Sequence, residues 1–160
     1  MKKELSDKLN SQMNFELYSA YIYMSMSAYL EDVNLSGMAH WARLQAKEEF
    51  EHAMKFYNFM LKNNLKPVFE KINKPKAEWQ SSIEIFEDIY NHEKLVTSKI
   101  HELIKLSSKI EEHATFCFLQ WFVEEQIEEE ATAKSILERL NMTENIMNTL
   151  NVDKELGKRK

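Results

Sequence analysis

The chain has 160 residues, and only four of them are Gly or Pro: Gly37, Gly157, Pro67 and Pro75. Average usage is about 7% Gly and about 5% Pro, so the residues that tight turns and short strand connections depend on are nearly missing, which excludes an all-β or βαβ architecture. With 44% hydrophobic and 29% charged residues the chain is too apolar for disorder, and a net charge of −5 from 26 acidic and 21 basic side chains gives no support for a nucleic-acid partner.

One domain, 1–160, of all-α class is expected, with helices over about 4–33, 37–62, 82–108, 111–140 and 144–155. The first places Leu5, Leu9, Gln12, Glu16, Ala20, Tyr23, Ser27 and Leu30 on one face and ends near Asn34, a cap residue. Ser36 reads as the N-cap of the second, whose stripe is Met38, Ala42, Gln45, Glu49, His52, Phe56 and Met60. Asn63 to Gln80 is one long connection holding both prolines. Ser81 with Glu84 three residues on forms a capping-box pattern, and the third stripe is Phe86, Ile89, Glu93, Val96, Ile100 and Leu103. A turn is expected near Ser107 to Lys109, and the fourth stripe is Phe118, Phe122, Gln126, Glu129, Ala133, Ile136 and Leu140. The short connections make two antiparallel hairpins, while the long one, with a reach of roughly 60 Å, returns along a helix of about 40 Å and leaves helices two and three parallel.

Cys117, the single cysteine, excludes an internal disulfide framework and a Cys-based zinc site; in the run Phe116 to Leu119 it reads as a small buried hydrophobe. The start lacks an apolar run for a signal peptide, and the longest uncharged stretch, Leu17 to Leu30, falls short of the roughly 20 residues a membrane helix needs. No membrane partner and a reducing cytoplasm are expected. The basic tail, 156–160, reads as a frayed, solvated terminus, with contact to an acidic partner as the alternative. Apolar residues on secondary faces, such as Tyr18, Tyr21 and Ile22, point to a homo-oligomer.

Each stripe is apolar except at one level, where it carries Glu16, Glu49 with His52, Glu93, and Gln126 with Glu129. All lie about 15 to 20 residues from the turn of their hairpin, so they fall near one height. Glu16 and Glu49 are separated by 33 residues, as are Glu93 and Gln126, and each hairpin adds a partner three residues on, facing the same way. No Lys or Arg shares the stripes at this level. Buried unpaired carboxylates cost several kcal/mol each and persist by taking up protons or binding cations. An oxygen-rich set with one imidazole suits Mn or Fe better than Zn or Cu, and Glu from two helices plus Glu-x-x-His is a di-iron bundle pattern. A salt-bridge network on misaligned stripes is the alternative.

With these residues in view, the chain resembles the non-haem ferritins of prokaryotes. The likeness runs through Asn14-Phe15-Glu16-Leu17-Tyr18-Ser19-Ala20, Glu48-Glu49-Phe50-Glu51-His52, Tyr90-Asn91-His92-Glu93 and Phe118 to Glu130. It implies a ferritin-like four-helix bundle with a short fifth helix, a ferroxidase centre in each subunit, and a shell of 24 subunits that oxidises Fe(II) with O₂ or peroxide and stores hydrated ferric oxide. By resemblance one iron site is Glu16, Glu49 and His52, and a second is Glu49, Glu93 and Glu129 with Gln126 close by, Glu49 bridging. Glu48, Glu125 and Glu128 match a third iron site or else form a solvated acidic face. Tyr23 matches the family's tyrosine near the centre, with a plain core tyrosine as the alternative. Trp121 is either an electron donor or a packed core residue. Phe50 stands where bacterioferritins use a haem-binding Met, so no haem is expected. Gln126-x-x-Glu129 replaces the second Glu-x-x-His of rubrerythrins. A di-iron oxidase or peroxidase of that type acting outside storage is the rival function, and a non-catalytic bundle is the other.

Overall fold

The computed structural model describes residues 2–142 and 145–160. Among them the chain is all-α: α1 (Lys3–Asp32), α2 (Ser36–Lys62), α3 (Ser82–Lys109), α4 (His113–Asn141) and a short α5 (Ile146–Leu156). The expected start of the fifth helix at about 144 lies outside the described residues.

The helix ends show how a chain nearly free of glycine turns corners. α1, α2 and α3 each finish on a residue in the left-handed region, Asn34 (φ 61), Asn64 (φ 56) and Glu111 (φ 58). In each case the next N–H bonds back to the helix: Leu35 to Leu30 O at 2.8 Å, Leu65 to Met60 O at 2.9 Å and Glu112 to Ser107 O at 2.9 Å. This closure usually employs glycine; asparagine tolerates it at two of the three sites, and Glu111 adopts it at a cost of roughly 1 kcal/mol. The second turn thus spans 110–112, beyond the expected Ser107 to Lys109, and α4 opens at His113 rather than 111.

At the helix starts, Ser81 caps α3, its Oγ accepting from Glu84 N at 3.1 Å, while Glu84 Oε2 accepts from Gln80 N at 2.7 Å. Ser36 is not the N-cap of α2. It is the first helical residue, Leu35 precedes it without a side-chain cap, and the orphan N–H of Met38 is taken by Asp153 Oδ1 of α5 at 2.8 Å. A long-range cap replaces the local one.

α1 packs along α2 and α3 along α4, and α5 lies against the start of α2. Trp41 near the start of α2 meets Phe86 near the start of α3 with ring centroids 5.5 Å apart. Phe56 late in α2 packs with Val96 and Ile100 late in α3, so these two helices run parallel. The connection between them follows α1, held by Asn14 Nδ2 donating to Val68 O (2.8 Å), Ser25 Oγ to Lys76 O (2.6 Å) and Tyr29 OH to Trp79 O (2.5 Å). Among the described residues two apolar clusters form the core. One gathers Met26, Leu30, Met38, Trp79, Phe86, Ile136, Leu140 and Val152 at the α1–α2 turn end; the other gathers Leu5, Leu9, Phe56, Met60, Ile100, Leu119 and Phe122 at the opposite end. A polar belt lies between them.

Two expectations fail at the surface. Cys117 is exposed, because the α4 stripe turns Leu119 and Phe122 inward and leaves Cys117 outside. The tail is held at Arg159, which bonds to the bundle. No described helix is long and apolar enough to cross a membrane.

Candidate metal centre

The belt is where the four stripes turn polar. Glu16, Glu49, His52, Glu93, Gln126 and Glu129 are all buried, none more than 8% exposed. Helical spacing explains the convergence: steps of three and four keep Glu49 and His52 on the inner face of α2, and Gln126 and Glu129 on that of α4. One ligand atom from each of Glu16, Glu49 and His52 lies within 4.8 Å of the others, and the same holds for His52, Glu125 and Glu129. His52 belongs to both groups, its Nδ1 3.5 Å from Glu49 Oε2 and its Nε2 3.9 Å from Glu125 Oε1.

Glu93 is held on both oxygens. Tyr23 OH donates to Oε1 in a short bond, and Gln126 Nε2 donates to Oε2 at 3.1 Å. Tyr23 is therefore fully buried with its hydroxyl on a belt carboxylate. Two further glutamines that the stripe pattern contained but did not single out serve the same purpose. Gln12 Nε2 donates to Glu16 Oε1 at 2.8 Å, and Gln45 Nε2 to Glu129 Oε2 at 2.7 Å. Gln12 and Gln45 each sit one turn before a belt Glu, at the same 33-residue separation, which is the signal that could have found them.

Burial and mutual repulsion shape the charge. Desolvation pushes the Glu16 carboxyl far above the usual range, with Glu49 adding to it; Glu49 is raised likewise by burial and then by Glu93 and Glu129. Burial raises Glu93, and Glu129 is pushed up to about 8 by burial, then by Glu93 and Glu48. Tyr23 is held well above its ordinary value by burial and by Glu93, Glu49 and Glu129. His92, stacked on Phe15 beside the belt, is lowered to about 4 by burial alone; its Nε2 lies 2.8 Å from Ser19 Oγ, outside both ligand groups.

The outer acidic residues divide. Glu125 is half-buried and joins His52 and Glu129. Glu48 meets Arg159 Nη2 at 2.6 Å. Glu128 is exposed and belongs to neither group among the described residues. Trp121 is not a packed core residue: it is 37% exposed, its ring 5.4 Å from that of His52 and Lys55 Nζ 4.2 Å above it. Arg159 gives no periodic signal in the sequence, because it lies 111 residues along the chain from Glu48, the side chain it meets.

The residues fit a hard divalent cation. Glu16 Oε2 is buried and accepts from no amide or hydroxyl donor, the Glu16 carboxyl being met instead by that of Glu49, inside a set of carboxylates with one imidazole. Such an orphan oxygen is costly in a sealed pocket and is the natural donor to a metal ion.

Comparison with known proteins agrees with this chemistry. Residues 6–143 match the ferritin-like domain family. The chain belongs to the ferritin family. It is 39% identical over 142 residues to a bacterial non-heme ferritin of Escherichia coli O157:H7, covering 89% of this chain and 86% of that one. Against a bacterial non-heme ferritin of Staphylococcus saprophyticus it is 40% identical over 160 residues, covering 99% and 96%. The open pore ferritin of the archaeon Archaeoglobus fulgidus superposes with a TM-score of 0.98 at 40% identity, covering 100% of this chain and 99% of that one. Four helices with a crossover and a short fifth helix are thus the ferritin fold, and the acidic belt occupies the middle of its bundle.

Proposed function

We propose that this chain is an iron-storage ferritin subunit whose belt is a ferroxidase centre. Two Fe(II) ions are the substrates: one held by Glu16, Glu49 and His52, the other by Glu49, Glu93 and Glu129, with Gln126 beside it and Glu49 shared. The observation that carries this reading is the orphaned Oε2 of Glu16 in a buried group with Glu49 and His52.

The residues' tasks follow from their environments. In the metal-free pocket burial and mutual repulsion make ionising the belt carboxyls costly, so Fe(II) binding displaces protons and supplies the positive charge that the cluster lacks. Gln12, Gln45 and Gln126 each fix one carboxylate oxygen by an amide N–H, which limits rotation of the carboxylate planes. Tyr23 does the same for Glu93 from within the apolar cluster. Carboxylate oxygens favour Fe(III) over Fe(II), so the site promotes oxidation. The pair of Fe(II) ions supplies two electrons, reducing O₂ to hydrogen peroxide or peroxide to water. Hydrolysis of the ferric product releases protons as hydrated oxide forms in the cavity of a homo-oligomeric shell, for which we propose 24 subunits. Glu125 and Glu48 beside the pair are candidates for a third ferrous position; exposed Glu128 is the weakest member of that set.

The test is aerobic addition of Fe(II) to the metal-free particle. A fast rise in near-ultraviolet absorbance, saturating at two ions per subunit and lost in Glu49→Ala, is expected. A rate no faster than buffer alone refutes the ferroxidase reading, and turnover of an organic substrate with no mineral formed favours the oxidase or peroxidase alternative. Native sizing separates a shell of about 460 kDa from a lone 19.1 kDa bundle.

A further inference from the structure

The positive charge missing from the four stripes arrives from the C-terminal tail. α5 folds back onto the start of α2 at very close range: a methyl group on Gly37 would overlap the carbonyl oxygen of Asp153, and one on Gly157 would stand 3.1 Å from the Gly37 Cα. This contact carries the tail along α2. His40 Nε2 donates to Arg159 O at 2.8 Å, which fixes the backbone, and the guanidinium lies 5.1 Å from the centre of the Trp41 ring. From there Nη2 donates to Glu48 Oε2 at 2.6 Å and Nη1 to Gln45 Oε1 at 2.9 Å. Gln45 passes the contact on, its Nε2 donating to Glu129 Oε2 at 2.7 Å.

Arg159 therefore neutralises Glu48, which stands beside the centre and contributes to the raised Glu129 carboxyl. We propose that Arg159 is a tethered cation that competes with a ferrous ion for Glu48, and so sets the affinity of the third iron position relative to the pair. The proposal rests on the reading of Glu48 and Glu125 as ligands of that position. The competition is suited to displacement. The guanidinium–carboxylate pair is partly exposed, with side-chain accessibilities of 26% and 41%, and pairs of this kind are weak enough for a divalent ion to replace. The Arg159 backbone stays anchored by His40 when its head group swings away, so the cation remains ready to return when iron leaves. Arg159 is a positioning residue, since it acts on the third position through Glu48.

The test is anaerobic calorimetric titration of the metal-free particle with Fe(II), and in parallel with Zn²⁺ as a redox-silent probe. Wild type is expected to show two tight sites and one weaker site per subunit. Arg159→Gln should tighten the weaker site by about two- to fivefold and leave the tight pair within about twofold, while Arg159→Lys stays near wild type. In a Glu48→Gln background the Arg159→Gln effect should vanish. An unchanged or weakened third site in Arg159→Gln overturns the proposal, as does an effect that survives Glu48→Gln or a wild-type titration with no weaker site. Absence of the tight pair instead refutes the dinuclear centre. Arg159→Met, whose unbranched stem still covers Trp41, provides the same comparison should the glutamine variant fail to assemble.

Discussion

Glu129 offers the sharpest test of the electrostatics, because its carboxyl is both buried and raised to about 8 from an ordinary value near 4.5. A folded-state value above the unfolded one means that the native protein holds the proton more tightly than the unfolded chain. The metal-free protein then loses stability as pH rises from about 4.5 through about 8. At about 1.36 kcal/mol for each pH unit separating the two values, ionisation at this one site costs on the order of 4 kcal/mol at pH 8 and on the order of 1 kcal/mol at pH 5.5. Glu129→Gln removes the charge, keeps the shape, and keeps an oxygen to accept from Gln45 Nε2. For a chain of this length about 3 °C per kcal/mol applies, so metal-free Glu129→Gln should melt about 10 °C above wild type at pH 8 and only a few degrees above it at pH 5.5. The assay is thermal melting of chelator-treated protein at one scan rate. With Zn²⁺ present the order should reverse, since an amide cannot supply the lost negative charge. Coincident melting curves for the two metal-free proteins at pH 8 would refute the claim that burial holds this carboxyl at an unfavourable charge.

Tyr23→Phe removes the hydroxyl that holds Glu93 and should lower stability by about 1–2 kcal/mol, read as a fall of a few degrees in melting temperature at pH 7. An unchanged midpoint together with unchanged Fe(II) oxidation would show that the bond does not position Glu93. Gly37→Ala forces a methyl group into the Asp153 carbonyl, so α5 should detach while the four-helix circular dichroism persists. Trypsin should then cleave at Lys154 and Lys158 many times faster than in wild type; equal cleavage rates would mean that the α5 contact tolerates the methyl.

The long elements and the height of the acidic belt are legible in the sequence because both follow from the 3.6-residue period, which needs no knowledge of the partner helix. The features that pattern misses are set by contacts distant in sequence. Ser36 has the right chemistry for an N-cap, yet Asp153, 115 residues from Met38, fills that role, and so the helix starts one residue earlier than expected. The α3–α4 turn falls later than the pattern places it. Ser107 and Ser108 are the small polar residues of that stretch, whereas the left-handed position belongs to Glu111, a residue type with no preference for it. Cys117 reads as core from its apolar neighbours alone, although the stripe through Leu119 and Phe122 already sets it off the inner face. Within the site, the six belt residues can be read from pattern. Gln12 and Gln45 occupy the same stripes but carry no charge to draw attention, and Arg159 lies in a tail that composition alone marks as solvated.

The division of the core into two apolar clusters has a consequence for how the bundle holds together as a whole. Hydrophobic burial is additive only within each cluster, and at the belt it is interrupted by groups that repel one another when ionised. The metal-free subunit thus carries two apolar blocks on four shared helices, and amide protons of the belt between them should exchange faster than those at either end. A multivalent ion bound by the belt residues of all four helices would cross-link the two apolar blocks, so that each subunit would stiffen as the ion is taken up.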